Sequence, residues 1–90
     1  MGYIDLTTGK EEDRRKLLIL DIYELKNATI TWGVAVIVRS IGTGNEARLT
    51  IRKNIFDKNP FKELSVIYGA RLSKNNKGYW YLNDYRILTY

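Results

Sequence analysis

The sequence predicts an all-β fold, with a β-rich α+β fold kept open beside it. Three observations carry that expectation. Apolar and polar side chains alternate with period 2 over residues 30–38, 47–51 and 64–72, the repeat of half-buried strands. Turn-forming clusters separate those runs, Ile41-Gly42-Thr43-Gly44-Asn45 and Ser73-Lys74-Asn75-Asn76-Lys77-Gly78. Gly33 interrupts the longest strand, where a bulge or sharp bend lets one strand serve two sides of a small barrel.

Taken in order, residues 1–13 hold few apolar side chains and read as an acidic, flexible tail, with Thr8 and Glu11 at capping-box spacing. Residues 14–90 read as one domain. The run Leu17-Leu18-Ile19-Leu20-Asp21-Ile22-Tyr23 is dense and partly β-branched, which favours a buried strand over 16–26. A helix with Leu18, Ile22 and Leu25 on one side is the alternative, and would turn the fold into α+β. The next strand places Ile30, Trp32, Val34, Val36 and Val38 on one face and Thr29, Thr31, Gly33, Ala35, Ile37 and Arg39 on the other. Ala47, Leu49 and Ile51 alternate with Glu46, Arg48, Thr50 and Arg52, giving a third strand with a basic outer face. Residues 54–63, broken by Asp57-Lys58-Asn59-Pro60, read as a short helix or compact loop carrying Phe56 and Phe61 inward. On the fourth strand Leu64, Val66, Tyr68, Ala70 and Leu72 are expected to point in, and Ser65, Ile67, Gly69, Arg71 and Ser73 out. On the fifth, Trp80 and Leu82 are expected in and Tyr79 and Tyr81 out. A bulge at Asn83-Asp84 then flips the phase so that Tyr85 and Ile87 point in.

Composition narrows the function. The chain has 90 residues and a formal charge of +5, distributed as −3 over residues 1–13 and +8 over 14–90. A basic domain behind an acidic head fits a polyanionic partner, or an acidic face on another protein. There is no cysteine and no histidine, which removes thiolate and imidazole metal sites, the Cys nucleophile and the usual general base. The carboxylates show no paired spacing, and Gly42-Thr43-Gly44 lacks the strand-to-helix context of a phosphate loop. The expectation is therefore no enzyme, no metal and no cofactor. The longest apolar run, Val34-Ala35-Val36-Ile37-Val38, is too short to span a bilayer, and no signal peptide is visible, so the cytoplasm is the expected compartment.

The order of strand, long bent strand, strand, connector, strand and strand resembles the OB-fold. The sharpest local likeness is Glu63-Leu64-Ser65-Val66-Ile67-Tyr68-Gly69-Ala70-Arg71-Leu72 followed by a basic turn, Gly78, Trp80 and Leu82. It looks like the last two strands of single-stranded-DNA-binding OB domains, although the connector and tail are shorter than in larger members. The resemblance implies a five-stranded antiparallel barrel with a short helix or loop between strands 3 and 4. It also implies a ligand lying across strands 2 and 3, gripped by the loops between strands 1 and 2 and between strands 4 and 5. A small basic chain rich in Ile, Lys and Tyr also looks like a replication accessory subunit, such as those accompanying archaeal B-family DNA polymerases.

The candidate binding residues are Arg39, Arg48, Arg52, Arg71, Lys74, Lys77, Tyr79 and Tyr81. Cations interleaved with rings suit a single strand, because cations meet phosphates while π-faces stack on bases. Each has a plainer reading. Arg48 and Arg52 fit a solvated strand face, Tyr79 and Tyr81 fit cross-strand aromatic pairs, and Lys74 to Gly78 is first of all a good turn. Trp32 and Trp80 read as core rather than platform, since both share a phase with aliphatic residues. Asp84 reads as an ion-pair partner of Arg71 or Arg86. The expected function is a non-enzymatic single-stranded nucleic-acid-binding module, DNA before RNA, serving replication or repair. The rival is a protein-interaction subunit docking on a larger enzyme such as a DNA polymerase.

Overall fold

Leu17, Ile19, Val34, Val36, Val38, Leu49, Ile51, Ile67 and Leu82 are all buried, and the strands that carry them wrap around that one cluster. The computed structural model describes residues 15–89. In chain order these are β1 (Lys16–Asn27), β2 (Ile30–Ser40), β3 (Glu46–Arg52), α1 (Lys53–Lys58), β4 (Val66–Lys74) and β5 (Trp80–Thr89). The sheet closes in the order β1-β2-β3-β5-β4. β3 pairs with β5 in parallel and every other pair is antiparallel. This is a small all-β barrel, consistent with an OB-like fold. Residues 16–26 are strand, so the helical alternative is set aside. The expected acidic tail, residues 1–13, lies outside the described residues. No helix among the described residues is long and apolar enough to cross a membrane.

Five register slips, two between β1 and β2 and three between β4 and β5, give the strands their curvature. In β1 the register slips between Ile19 and Asp21, leaving Leu20 unpaired. In β2 the slip comes at Trp32, between Thr31 and Gly33, beside the glycine that signals it in the sequence. A Cβ on Gly33 would stand 2.6 Å from the Ile51 carbonyl oxygen, so the backbones of β2 and β3 meet there at a separation only glycine permits. In β5 one slip leaves out Asn83, and Tyr85 and Ile87 turn to the core as expected.

The expected phase of β4 is wrong over its first half. Ser65, Ile67 and Gly69 face the core, while Leu64 is 73% exposed in a turn at φ 70° and Ala70 lies at the surface. Two features invert it. The chain enters β4 through a clasp with β1, in which the Ile19 N–H donates to the Ser65 carbonyl (2.9 Å) and the Leu64 N–H to the Ile19 carbonyl (2.8 Å). A slip at Ala70 then resets the phase, and Leu72 packs on the core. Gly69 is inward because Leu17 and Leu82 fill the space beside it, 3.3 and 3.5 Å from where its Cβ would be.

α1 covers the barrel beside β2 and β3 with Ile55 and Phe56 packed against the core. Phe56, Phe61 and Tyr85 form an edge-to-face series with centroids 5.1 and 5.3 Å apart. The Tyr85 hydroxyl donates to the Asn59 carbonyl at 2.6 Å and so pins the connector after α1. Asp84 pairs in register with Arg71, yet among the described residues it forms no ion pair with Arg71 or Arg86. The Arg86 guanidinium lies instead over the Tyr68 ring, 4.9 Å from its centroid.

Candidate nucleic-acid interface

The register of β1, β2, β3 and β5 sets out rows on the outer surface of the barrel. One row runs Tyr23, Ala35, Thr50, Tyr81. The row on one side is Asp21, Ile37, Arg48, and on the other side Leu25, Gly33, Arg52. Adjacent residues of the same face on one strand are about 6.6 Å apart, so Arg48, Thr50 and Arg52 line up along β3 at that spacing.

The loop between β4 and β5 folds over the end of these rows. Asn75 organises it. Its Oδ1 accepts the N–H of Lys77 (3.0 Å) and of Tyr79 (2.9 Å), its own N–H donates to the Tyr79 carbonyl (2.9 Å), and its carbonyl accepts from the Gly78 N–H (3.1 Å). Gly78 takes φ 88°, which the turn demands and other residues resist. The loop is therefore preset by side chain–backbone bonds rather than by packing.

Between loop and sheet lies an open groove of about 340 Å³. Three rings line it, Trp32, Tyr79 and Tyr81, together with two cations, Arg48 and Lys77. Thr50 and Asn75 complete it, and among the described residues no carboxylate lines it. Trp32 is 41% exposed and Tyr79 54%, so ring surface is open to a partner. Arg48 is steered by Tyr23: its Nε donates to the Tyr23 hydroxyl at 3.1 Å and its guanidinium sits 5.9 Å from that ring's centroid. Arg52 borders the groove, 5.1 Å over the Tyr81 ring, with Nη1 donating to Asn83 Oδ1 at 2.9 Å. Asn83 donates in turn to Ser73 Oγ at 2.7 Å. Each contact holds a cation beside a ring before any ligand arrives.

The fold thus gathers Arg48, Lys77, Tyr79 and Tyr81 in one groove, with Arg52 at its rim. It does not bring in the other three candidates. The Arg39 guanidinium is held by the Glu46 carboxylate, its cross-strand partner. Lys74 reaches over the Trp80 ring, 5.8 Å from the centroid. Arg71 lies on β4, outside the groove lining. Trp32 corrects the expectation that it is core. The bulge before Gly33 moves it off the phase of Val34 and Val36 and onto the outer surface, and Gly33 was the signal for that displacement. Trp80 does pack against the core. Tyr23, Thr50 and Asn75 have roles here that alternation alone does not reveal. No family model, no curated protein and no solved structure matches this chain.

Proposed function

We propose that the protein is a non-enzymatic module for single-stranded nucleic acid, DNA before RNA, and an accessory factor in replication or repair. The observation that carries this reading is the groove itself: three partly exposed rings and two cations, with no carboxylate among the described residues, on the outer surface of β2, β3 and β5. A single strand needs both kinds of group, since rings stack on bases of any sequence while Lys and Arg neutralise phosphates. A duplex hides its base faces and would leave Trp32 and Tyr79 without a use.

The test is fluorescence anisotropy with short labelled oligonucleotides over a range of salt. Binding should weaken with salt at a slope of roughly −0.7 per phosphate neutralised. Folded protein that ignores single-stranded oligonucleotides at about 50 mM salt overturns the reading. The docking-subunit alternative then takes its place. It is favoured by Ile30, 68% exposed at the end of the β1–β2 hairpin next to Trp32, where a larger enzyme such as a DNA polymerase would seat it.

A further inference from the structure

The polar groups of the groove differ in which half of a hydrogen bond they offer. Asn75 is the most tightly specified. Two backbone N–H groups converge on one atom of its carboxamide, and only an oxygen accepts from both. Its Nδ2 is thereby fixed on the opposite side, with no protein partner among the described residues. The oxygen, having accepted twice, has no further capacity. Asn75, which lines the groove, therefore has a side-chain donor left to offer and no acceptor.

The cations agree in sign. Arg48 keeps its terminal guanidinium N–H groups after Nε is committed to Tyr23, and Lys77 carries an ammonium; neither side chain accepts. These two are also the groups a phosphate takes first. Asn75 is neutral and immobilised, so it is the one left to meet a base edge. Thr50 lines the same groove, 5% exposed, with a hydroxyl that no protein group satisfies among the described residues. A hydroxyl in that state adapts to whichever partner the base supplies.

We propose that the groove reads one base of the strand at pyrimidine position 4 or purine position 6, and favours those with a carbonyl there, thymine, uracil, guanine and hypoxanthine, over cytosine and adenine, which carry an amine there. This rests on the nucleic-acid reading above. A base stacked on Trp32 or Tyr79 presents its exocyclic group to Asn75 Nδ2. Thymine O4 or guanine O6 accepts that N–H, whereas the amines of cytosine and adenine set donor against donor. A donor facing a donor forms no bond, whereas a carbonyl there gains one. Stacking strength and backbone flexibility can also separate thymidine from cytidine strands, so the response of the ratio to Asn75→Asp is what assigns the preference to the base edge.

The experiment compares deoxythymidine, deoxycytidine, deoxyadenosine and deoxyinosine oligonucleotides of equal length at one salt concentration, by anisotropy. The thymidine strand should bind roughly three- to tenfold tighter than the cytidine strand, and the inosine strand tighter than the adenosine strand in the same proportion, as one hydrogen bond gained implies. Asn75→Asp keeps an oxygen for the Lys77 and Tyr79 amides but exchanges the donor for an acceptor. It should weaken every oligonucleotide through its charge, yet bring the thymidine-to-cytidine ratio to one or below. Tyr79→Ala should weaken all four alike and leave the ratios unchanged. Wild-type ratios near one, or a ratio that Asn75→Asp does not move, overturn the base preference and leave single-strand binding standing. Failure to bind any of the four overturns both. Circular dichroism checks that Asn75→Asp folds; if it does not, the wild-type inosine-to-adenosine ratio decides, and a value at or below one refutes the preference.

Discussion

Tyr85 couples protonation to folding. Its ring is 5% exposed between Phe61 and the core, and its hydroxyl donates to Asn59, so burial pushes its ionisation up to about 12 from the usual 10. The phenolate is thus disfavoured in the folded chain and free to form in the unfolded one. Below about pH 10 both states keep the proton and this contribution is fully present; it drains away as pH rises from about 10 to about 12. Denaturant titrations across that window should lose on the order of 2–3 kcal/mol from this group, about 1.4 kcal/mol per unit of pKa difference. Tyr85→Phe should be less stable by about 1 kcal/mol at neutral pH, having lost one hydrogen bond, and should show a flatter alkaline decline. An equally steep decline in the variant would place the effect elsewhere. The inward Tyr85 was legible in the sequence because Asn83-Asp84 breaks the alternation with two polar residues that a core rejects. Trp32 was not legible, because a large ring in phase with Val34 and Val36 reads as core until the bulge displaces it.

The strands owe their curvature to backbone irregularities, and two of these make predictions of opposite sign. At Gly33 β3 leaves no room for a Cβ, so Gly33→Ala should destabilise by roughly 1–3 kcal/mol through overpacking against the Ile51 carbonyl. Chemical denaturation reads this directly, and an unchanged midpoint would mean that β3 shifts without strain. In the turn between β1 and β2 Ala28 is held at φ 55°, a conformation that crowds its Cβ. Ala28→Gly should therefore raise stability by about 0.5–1 kcal/mol, and a loss would show that chain entropy outweighs the relief of strain. The strands themselves could be read from period-2 alternation, because burial of one face imposes it on β2, β3 and β5. β4 could not. Its larger side chains, Val66 and Tyr68, lie on the phase opposite Ile67, and the clasp between Ile19 and Ser65 that decides the phase is a contact over 46 residues of sequence. Long-range hydrogen bonds leave no trace in a local pattern.

At the scale of the whole molecule the charge is concentrated but only partly available. Arg39 is occupied by Glu46 and Lys74 by Trp80, while Arg48, Arg52 and Lys77 surround the groove. The proposed function predicts that Arg48→Ala with Arg52→Ala flattens the salt dependence of oligonucleotide binding by about one to two units of slope, and that Arg39→Ala changes it less. Tyr79→Ala should instead cost roughly 1–3 kcal/mol of affinity with little change in slope. Equal slopes across all these variants would show that the groove does not track phosphates. The gathering of these side chains follows from barrel closure, which the order of strands implied through its likeness to the OB-fold and which no single stretch of sequence encodes. That closure is thin. β1 meets β4 over three residue pairs, and β3 meets β5 over one registered pair, Thr50 with Tyr81. The molecule is in effect a three-stranded meander and a two-stranded hairpin held along two narrow seams, and the groove straddles one of them, with Trp32, Arg48 and Thr50 on the meander and Asn75 to Tyr81 on the hairpin. Opening along that seam is the breathing motion that least disturbs either half, so backbone amides there should trade hydrogen for deuterium well before those in the middle of β2. A ligand that touches both banks acts as a staple: at about a hundred times its dissociation constant it should slow seam exchange by up to about a hundredfold. Protection confined to one bank would show a ligand held by the hairpin or the meander alone.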